Sequence, residues 1–205
     1  MTKHIDCITA GSCVLDILAH PVNLNEPLIN HPVHRINPMQ LLCGGLSCNS
    51  GIALARLGCK TNIFTYVGKD TWGQMVRQML TDENVDTSLL LTHESEPTSP
   101  TVVTIDPSGD RAFIHCQGAA KRLNIATCMD HLATFAKSRF FLCGYYSLMP
   151  DLQDDLPELF EALRNCGVKT AMDAAGDGGS MKPLDQILPH LDLYIPSLTE
   201  AQHQT

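Results

Sequence analysis

Residues 43–58 read Cys43-Gly44-Gly45-Leu46-Ser47-Cys48-Asn49-Ser50-Gly51-Ile52-Ala53-Leu54-Ala55-Arg56-Leu57-Gly58. A glycine pair lets the backbone come close to a ligand and take unusual dihedrals. Asn49 follows in what the spacing makes the first turn of a helix. Small residues crowd that helix start, where free N–H groups and the helix dipole face outward. The segment suits a polar ligand held against backbone. It also suits a tight loop that packs a buried helix under a sheet. Asn49 offers both a donor and an acceptor, or else serves as an ordinary helix N-cap. Asp16 stands among apolar residues in Val14-Leu15-Asp16-Ile17. It can accept two hydroxyl hydrogen bonds, an arrangement suited to polyols, or it is an exposed residue of an edge strand. Ser197 and Glu200 have capping-box spacing at the start of a helix.

The elements that would position these residues follow from pattern and punctuation. Ile5 to Ala10 is predicted as a strand ending at Gly11, and Val14 to Ala19 continues extended. Pro21 to Pro38 has no period. Leu41-Leu42 leads to the glycine pair, and strand and helix then alternate through residue 83, with Gly58 as a C-cap. Thr101–Ile105 and Ala112–His115 are β-rich runs joined by a Pro-Ser-Gly-Asp turn, which predicts a hairpin. Thr104 and His115 flank it, and strand alternation decides whether each faces a cleft. Beyond Gly118 the expected order is helix Thr127–Ala136, strand Phe140–Cys143, helix Leu152–Cys166, strand Val168–Met172, helix Leu184–Leu191 and strand Asp192–Ile195. Short strands alternating with helices predict an α/β fold, a mostly parallel sheet covered by helices on both faces.

The order of motifs resembles the ribokinase-like (PfkB-type) carbohydrate kinase family. Gly44, Gly45, Asn49, Gly58 and Gly68 match the family's first signature. Gly11-Ser12 with Asp16 is similar to its first strand and sugar-binding Asp. Asp106-Pro107-Ser108-Gly109-Asp110-Arg111 is similar to the turn between its lid strands, and Pro196-Ser197-Leu198-Thr199-Glu200-Ala201 to its Pro-Asn-x-x-Glu-Ala motif. The resemblance covers essentially all 205 residues. It implies one ribokinase-like domain over 1–205, with a small β-sheet lid from segments at about 14–42 and 100–116. It implies ATP-dependent phosphotransfer to a hydroxyl of a small sugar or sugar acid. Asp16, Gly44, Gly45, Asn49 and Thr104 would contact the sugar. Ser197 and Glu200 would lie on the nucleotide side, with Glu200 reaching Mg²⁺ through water.

Two departures qualify that expectation. Leu46 stands where family members often have a Lys or another polar residue, and Ser197 stands for the motif's Asn. The second signature, an Asp-Thr-x-Gly-Ala-Gly-Asp run with the catalytic Asp and anion hole, is absent. The string Asp173-Ala174-Ala175-Gly176-Asp177-Gly178-Gly179 precedes the Pro-Ser-Leu-Thr-Glu-Ala motif and reads as a strand end and loop. The chain is therefore expected to be the N-terminal two-thirds of a kinase, with the C-terminal part missing and no catalytic residue of its own. The alternatives are a non-catalytic sugar-binding module, or one that homodimerises through the lid, and a nucleoside kinase relative.

Composition narrows the partners. Acidic residues outnumber basic ones 22 to 14, for a net charge of −8, and the basic residues are scattered. That argues against nucleic acid, whose phosphates need clustered Lys and Arg. No apolar run reaches membrane-spanning length, and the start Met1-Thr2-Lys3-His4-Ile5-Asp6 lacks the apolar stretch of a signal peptide. A cytoplasmic setting with reduced thiols is expected, since the nine cysteines are odd in number and form no Cys-x-x-Cys. No Walker A sequence, dinucleotide fingerprint or Gly-x-Ser-x-Gly elbow occurs. In His31-Pro32-Val33-His34 the proline forbids a regular helical face, so no zinc site is expected there.

Overall fold

The computed structural model describes residues 3–30, 33–174 and 181–204. The first half of the chain forms β1 (Ile5–Gly11), β2 (Val14–Ala19), β3 (Gln40–Gly44), α1 (Leu46–Arg56), β4 (Thr61–Gly68), α2 (Thr71–Asp82), β5 (Leu90–His93), β6 (Ser99–Ile105) and β7 (Arg111–His115). The second half forms α3 (Ile125–Asp130), α4 (Leu132–Phe135), β8 (Ser138–Gly144), α5 (Leu156–Asn165), β9 (Lys169–Asp173), α6 (Met181–Ile187), β10 (Leu193–Ile195) and α7 (Leu198–Gln204). The tail of the Asp173–Gly179 string and His31 of the histidine pair lie outside the described residues.

Six strands make a parallel sheet in the order β10-β9-β8-β1-β4-β5. Strands buried on both faces can be apolar at successive positions, and β4 shows this. Its Ile63 and Val67 pack with Val76 and Leu80 of α2, while Phe64 faces the larger cluster of Phe135, Phe141, Leu159 and Phe160. On the face of α1 and α2, the β8–β10 half is lined by Phe140 and Leu142, with Leu193 and Ile195 each half exposed. Helices thus cover one face along its length and the other over its β1-β4-β5 half.

A second sheet of four strands, in the order β3-β2-β6-β7, stands beside the ends of the first. β2 leaves β1 across Ser12 and Cys13 and pairs parallel with β6, Asp16 opposite Thr101. The hairpin β6–β7 is antiparallel, with Thr101 opposite His115. Asp106 ties its turn, accepting from the Ser108 hydroxyl at 2.6 Å and the Asp110 N–H at 3.1 Å.

Local differences from the sequence reading have local causes. The single helix expected at Thr127–Ala136 is broken into α3 and α4 at His131, whose Nδ1 lies 2.9 Å from the Thr127 carbonyl. The helix expected to run to Leu191 gives way to a tighter turn over Leu188–His190, where Pro189 supplies no N–H. β5 joins the parallel sheet, although its Leu-Leu-Thr-His run is too short to separate from the region around it. Cys7, Cys13, Cys48, Cys128 and Cys143 are buried among apolar residues, as small hydrophobes are. No helix of the described residues is long and apolar enough to cross a membrane.

Candidate functional site

The cleft between the smaller sheet and the ends of β1 and β8 has a volume of about 580 Å³. Its floor begins at the β1–β2 turn. There the Ser12 carbonyl accepts from the Ser47 hydroxyl at 2.6 Å and from the Ser47 N–H at 3.1 Å. Thr9 adds a hydrogen bond from its hydroxyl to the Ser47 carbonyl at 2.8 Å. These bonds fix the first turn of α1 against β1. The glycine pair makes the arrangement possible. Gly45 has φ of 80°, a region disfavoured for side chains, and a Cβ there would lie 2.5 Å from the Ser12 carbonyl oxygen. A Cβ on Gly44 would run into the carboxylate of Asp16. Gly44 therefore vacates the space that Asp16 uses.

Asp16, Gly45 and Asn49 all line this cleft. Asn49 sits in the first turn of α1 but does not cap it. Gly45 holds the capping position without a side-chain bond, and the Asn49 side chain is exposed. Burial pushes the Asp16 carboxyl above its usual range, and the neighbouring Thr101 hydroxyl partly offsets that. His115 lies across from it, with Nδ1 2.9 Å from the Thr101 hydroxyl, and desolvation lowers its pKa.

Thr104 is not in this cleft, which corrects the expectation from sequence. Side chains alternate along a strand, and the pairing of Asp16 with Thr101 puts the odd-numbered residues of β6 on the cleft side. Thr104 points the other way, is buried, and donates to the Ala112 carbonyl at 3.2 Å. The same parity places Arg111, Phe113 and His115 of β7 on the cleft face.

Ser197 and Glu200 form a reciprocal cap at the start of α7. Glu200 Oε2 accepts from the Ser197 N–H at 2.6 Å, and the Ser197 hydroxyl accepts from the Glu200 N–H at 3.3 Å. Glu200 Oε1 has no hydrogen bond among the described residues. The buried Glu200 lies near Asp173 at the end of β9. Burial first, and then the Glu200 charge, push the Asp173 carboxyl up to about 6. Tyr145 connects the two sides of the site. It lines the cleft in the left-handed region at φ 60°, and its N–H donates to the Asp173 carbonyl at 3.3 Å. Burial, then Asp173, Glu200 and Asp16, raise its phenol. Among the described residues no three His, Cys, Asp or Glu side chains are grouped to hold a metal directly.

Sequence reasoning missed Thr101, Arg111, Phe113, Tyr145 and Asp173. Thr101 is legible only through its register with Asp16. Arg111 and Phe113 follow from His115 by alternation once the facing side is known. Nothing in Gly144-Tyr145-Tyr146 marks Tyr145 in advance.

The sequence matches the profile of the pfkB family of carbohydrate kinases over residues 7–205. It is 23% identical to ribokinase of Haemophilus influenzae over 163 residues, which cover 80% of this chain and 51% of that protein. It is 37% identical to fructokinase of Vibrio alginolyticus over 70 residues, 34% of this chain and 23% of that protein. The structure of Arabidopsis thaliana ribokinase complexed with ribose and ATP superposes with a TM-score of 0.76 at 21% identity, covering 100% of this chain and 63% of that one. At that identity the likeness is one of fold. The chain spans about half the length of the ribokinase it matches.

Proposed function

Because the chain belongs to the pfkB family of carbohydrate kinases, we propose that its cleft binds the acceptor in ATP-dependent phosphotransfer to a hydroxyl of a small sugar or sugar acid. The observation that carries this reading is the carboxylate of Asp16. It is half buried on the cleft face, in the space Gly44 leaves open, with Thr101 and Asn49 beside the same cavity. A carboxylate so placed accepts hydroxyl hydrogen bonds in partly desolvated surroundings, where they are strong. Asn49 adds a donor and an acceptor, and Gly45 brings backbone to the cavity wall. Tyr145 and Leu148 line the same cavity.

Mg²⁺ retains several waters and needs only one or two carboxylates. Glu200, with one oxygen unbonded, and Asp173 beside it fit a hydrated Mg²⁺, which when bound would neutralise phosphate charge. A triphosphate fits less well. The 205 residues hold no Gly-Ala-Gly-Asp run and no Walker A, so the amides that would cradle phosphate and the base for the acceptor hydroxyl have no counterpart here. The 205-residue polypeptide by itself is expected to bind sugar without turning over ATP.

Calorimetry with five- and six-carbon sugars and sugar acids tests the acceptor site. Asp16→Ala or Asn49→Ala is expected to weaken binding by about 1.5–3 kcal/mol per lost charge-assisted or buried bond. Unchanged affinity in both variants, with the fold intact by circular dichroism, would remove this site. ATP turnover by the purified polypeptide above a blank would overturn the assignment of its chemistry.

A second reading, association of two copies through the smaller sheet, draws on one observation. Phe113 and Ile114 on its outermost strand are each 63% exposed. Sedimentation of the wild type beside a Phe113→Ser, Ile114→Ser double variant tests it, and a monomeric wild type would dispose of it.

A further inference from the structure

The cleft has a cationic end with no internal partner. Arg111 lines it, yet among the described residues its guanidinium makes no ion pair and no hydrogen bond. Five of the other six arginines are engaged, and Arg35, which does not line the cleft, is like Arg111 without an ion pair or hydrogen bond among the described residues. Arg56 pairs with Glu83, Arg122 with Glu96 and Asp151, and Arg139 with Asp6, while Arg77 and Arg164 donate to backbone carbonyls. In a chain with 22 acidic residues, carboxylates are in ample supply. The two close in sequence lie in the turn around Ser108, whose hydroxyl donates to Asp106 at 2.6 Å and lies 3.0 Å from an Asp110 carboxylate oxygen.

The arrangement along β7 gives the cleft a polarity. His115 shares a rung with Thr101, which in turn pairs with Asp16, so this end carries the groups that handle hydroxyls. Arg111 is four residues away on the same face, at about 3.4 Å per residue, with Phe113 between them. Asp16 lies toward the other end of this face, and the carboxylates of Asp173 and Glu200 stand beyond it on the side of Tyr145. An anion would be repelled from that side and held only at the Arg111 end. A guanidinium fork matches the two oxygens of a carboxylate or phosphate, which a neutral polyol does not offer.

We infer that the acceptor is an anionic sugar, whose carboxylate or phosphate ester pairs with Arg111 while its hydroxyls meet Asp16. Arg111 is then the residue that sets specificity. This inference rests on the sugar-acceptor reading of the cleft and narrows its substrate class.

Calorimetry on the 205-residue chain at low ionic strength compares five- and six-carbon aldonates, the sugar monophosphates and the matching alditols. An aldonate or a monophosphate is expected to bind about 10- to 100-fold tighter than its alditol, as a hydrogen bond to a charged group is worth. The arm that shows the preference identifies carboxylate or phosphate as the anion. Arg111→Gln is expected to collapse the preference, and Arg111→Lys to restore part of it. Arg139→Gln, at the end of β8 away from the cleft, controls for net charge and should keep the preference. Arg111 is exposed on an outer strand, so its variants should fold, which circular dichroism checks. Equal affinity for acid and alditol, with both sensitive to Asp16→Ala, would overturn this inference and leave the sugar site standing. A preference that survives Arg111→Gln would overturn it too. If no member of any class binds, both readings fall.

Discussion

The two sheets of this protein are built to opposite specifications. β4, an interior strand of the six-stranded sheet between β1 and β5, is buried at every position but Tyr66, with Ile63 packed on one face and Phe64 on the other. β7, at the edge of the smaller sheet, is exposed at all five positions. Leu15 and Cys43 of the smaller sheet reach the core cluster under α2, but the outer half of that sheet has no layer over it. The larger sheet therefore holds most of the core, and the smaller one leaves its outer face free for the recognition proposed above. Residues that touch little core can face a ligand and move with it, because local opening is easiest where buried apolar contact is sparse.

The contrast can be tested by substitutions of decreasing expected size. Phe141→Ala, in the main-sheet core against Phe135, removes a fully buried ring and should destabilise by about 3–5 kcal/mol in urea titrations. A loss under 1 kcal/mol would mean that the larger sheet is not the stabilising unit.

Asp70 is the tie between the two sheets. It caps α2 by accepting from the Gly73 N–H at 2.7 Å, and it takes the Thr98 N–H at 2.8 Å just before β6. Asp70→Ala should lose about 2–3 kcal/mol at neutral pH, a cap plus charge-assisted bonds. Burial alone would raise this carboxyl, but the hydrogen bonds from Thr98 and Gly73 outweigh it and hold the pKa below its usual value. A depressed folded pKa means that the contribution is complete above about pH 4 and is lost as pH falls through the folded value. Wild type and Asp70→Ala should therefore converge in stability in acid. A constant gap down to pH 2 would show that the carboxylate charge is not what ties the sheets.

Asn124 caps α3, accepting from the Thr127 N–H at 3.0 Å. Asn124→Ala should lower stability by about 1 kcal/mol without altering sugar affinity. An affinity change would mean that the helical layer and the cleft are coupled. The smallest effect is expected on the other sheet. Phe113→Ala should shift stability by less than about 0.5 kcal/mol, as for surface positions away from special features, although the ring is as large as that of Phe141. A larger loss would show that β7 is packed in solution, against the ligand-free exposure that defines the contrast.

The sequence carried most of the scaffold and a part of the site. Apolar runs bounded by glycine located the long strands, and the Gly44-Gly45 pair marked where α1 begins. Asp16, Gly45 and Asn49 were legible as cleft candidates because small residues and an isolated polar group stood out in apolar surroundings, though each had a structural alternative. The break at His131 was not, because it depends on a side chain competing for the carbonyl of Thr127. Glu200 is seen in its capping role, and its Mg²⁺ role stays a proposal. Its spacing from Ser197 announced a cap, and only the fold set its charge near Asp173.

By itself, then, the sequence determined the alternation of strands and helices, the parallel sheet and the family to which the chain belongs. These depend on composition and spacing within short windows. Which threonine faces the cleft was decided by tertiary structure. A one-residue change of register reverses every side chain on a strand, and only the pairing of Asp16 with Thr101 sets that parity. The same pairing turns Thr104 away and brings Arg111, Phe113 and His115 to the cleft side. No local pattern could settle it, because the partners lie 85 residues apart in the chain, as their numbers show.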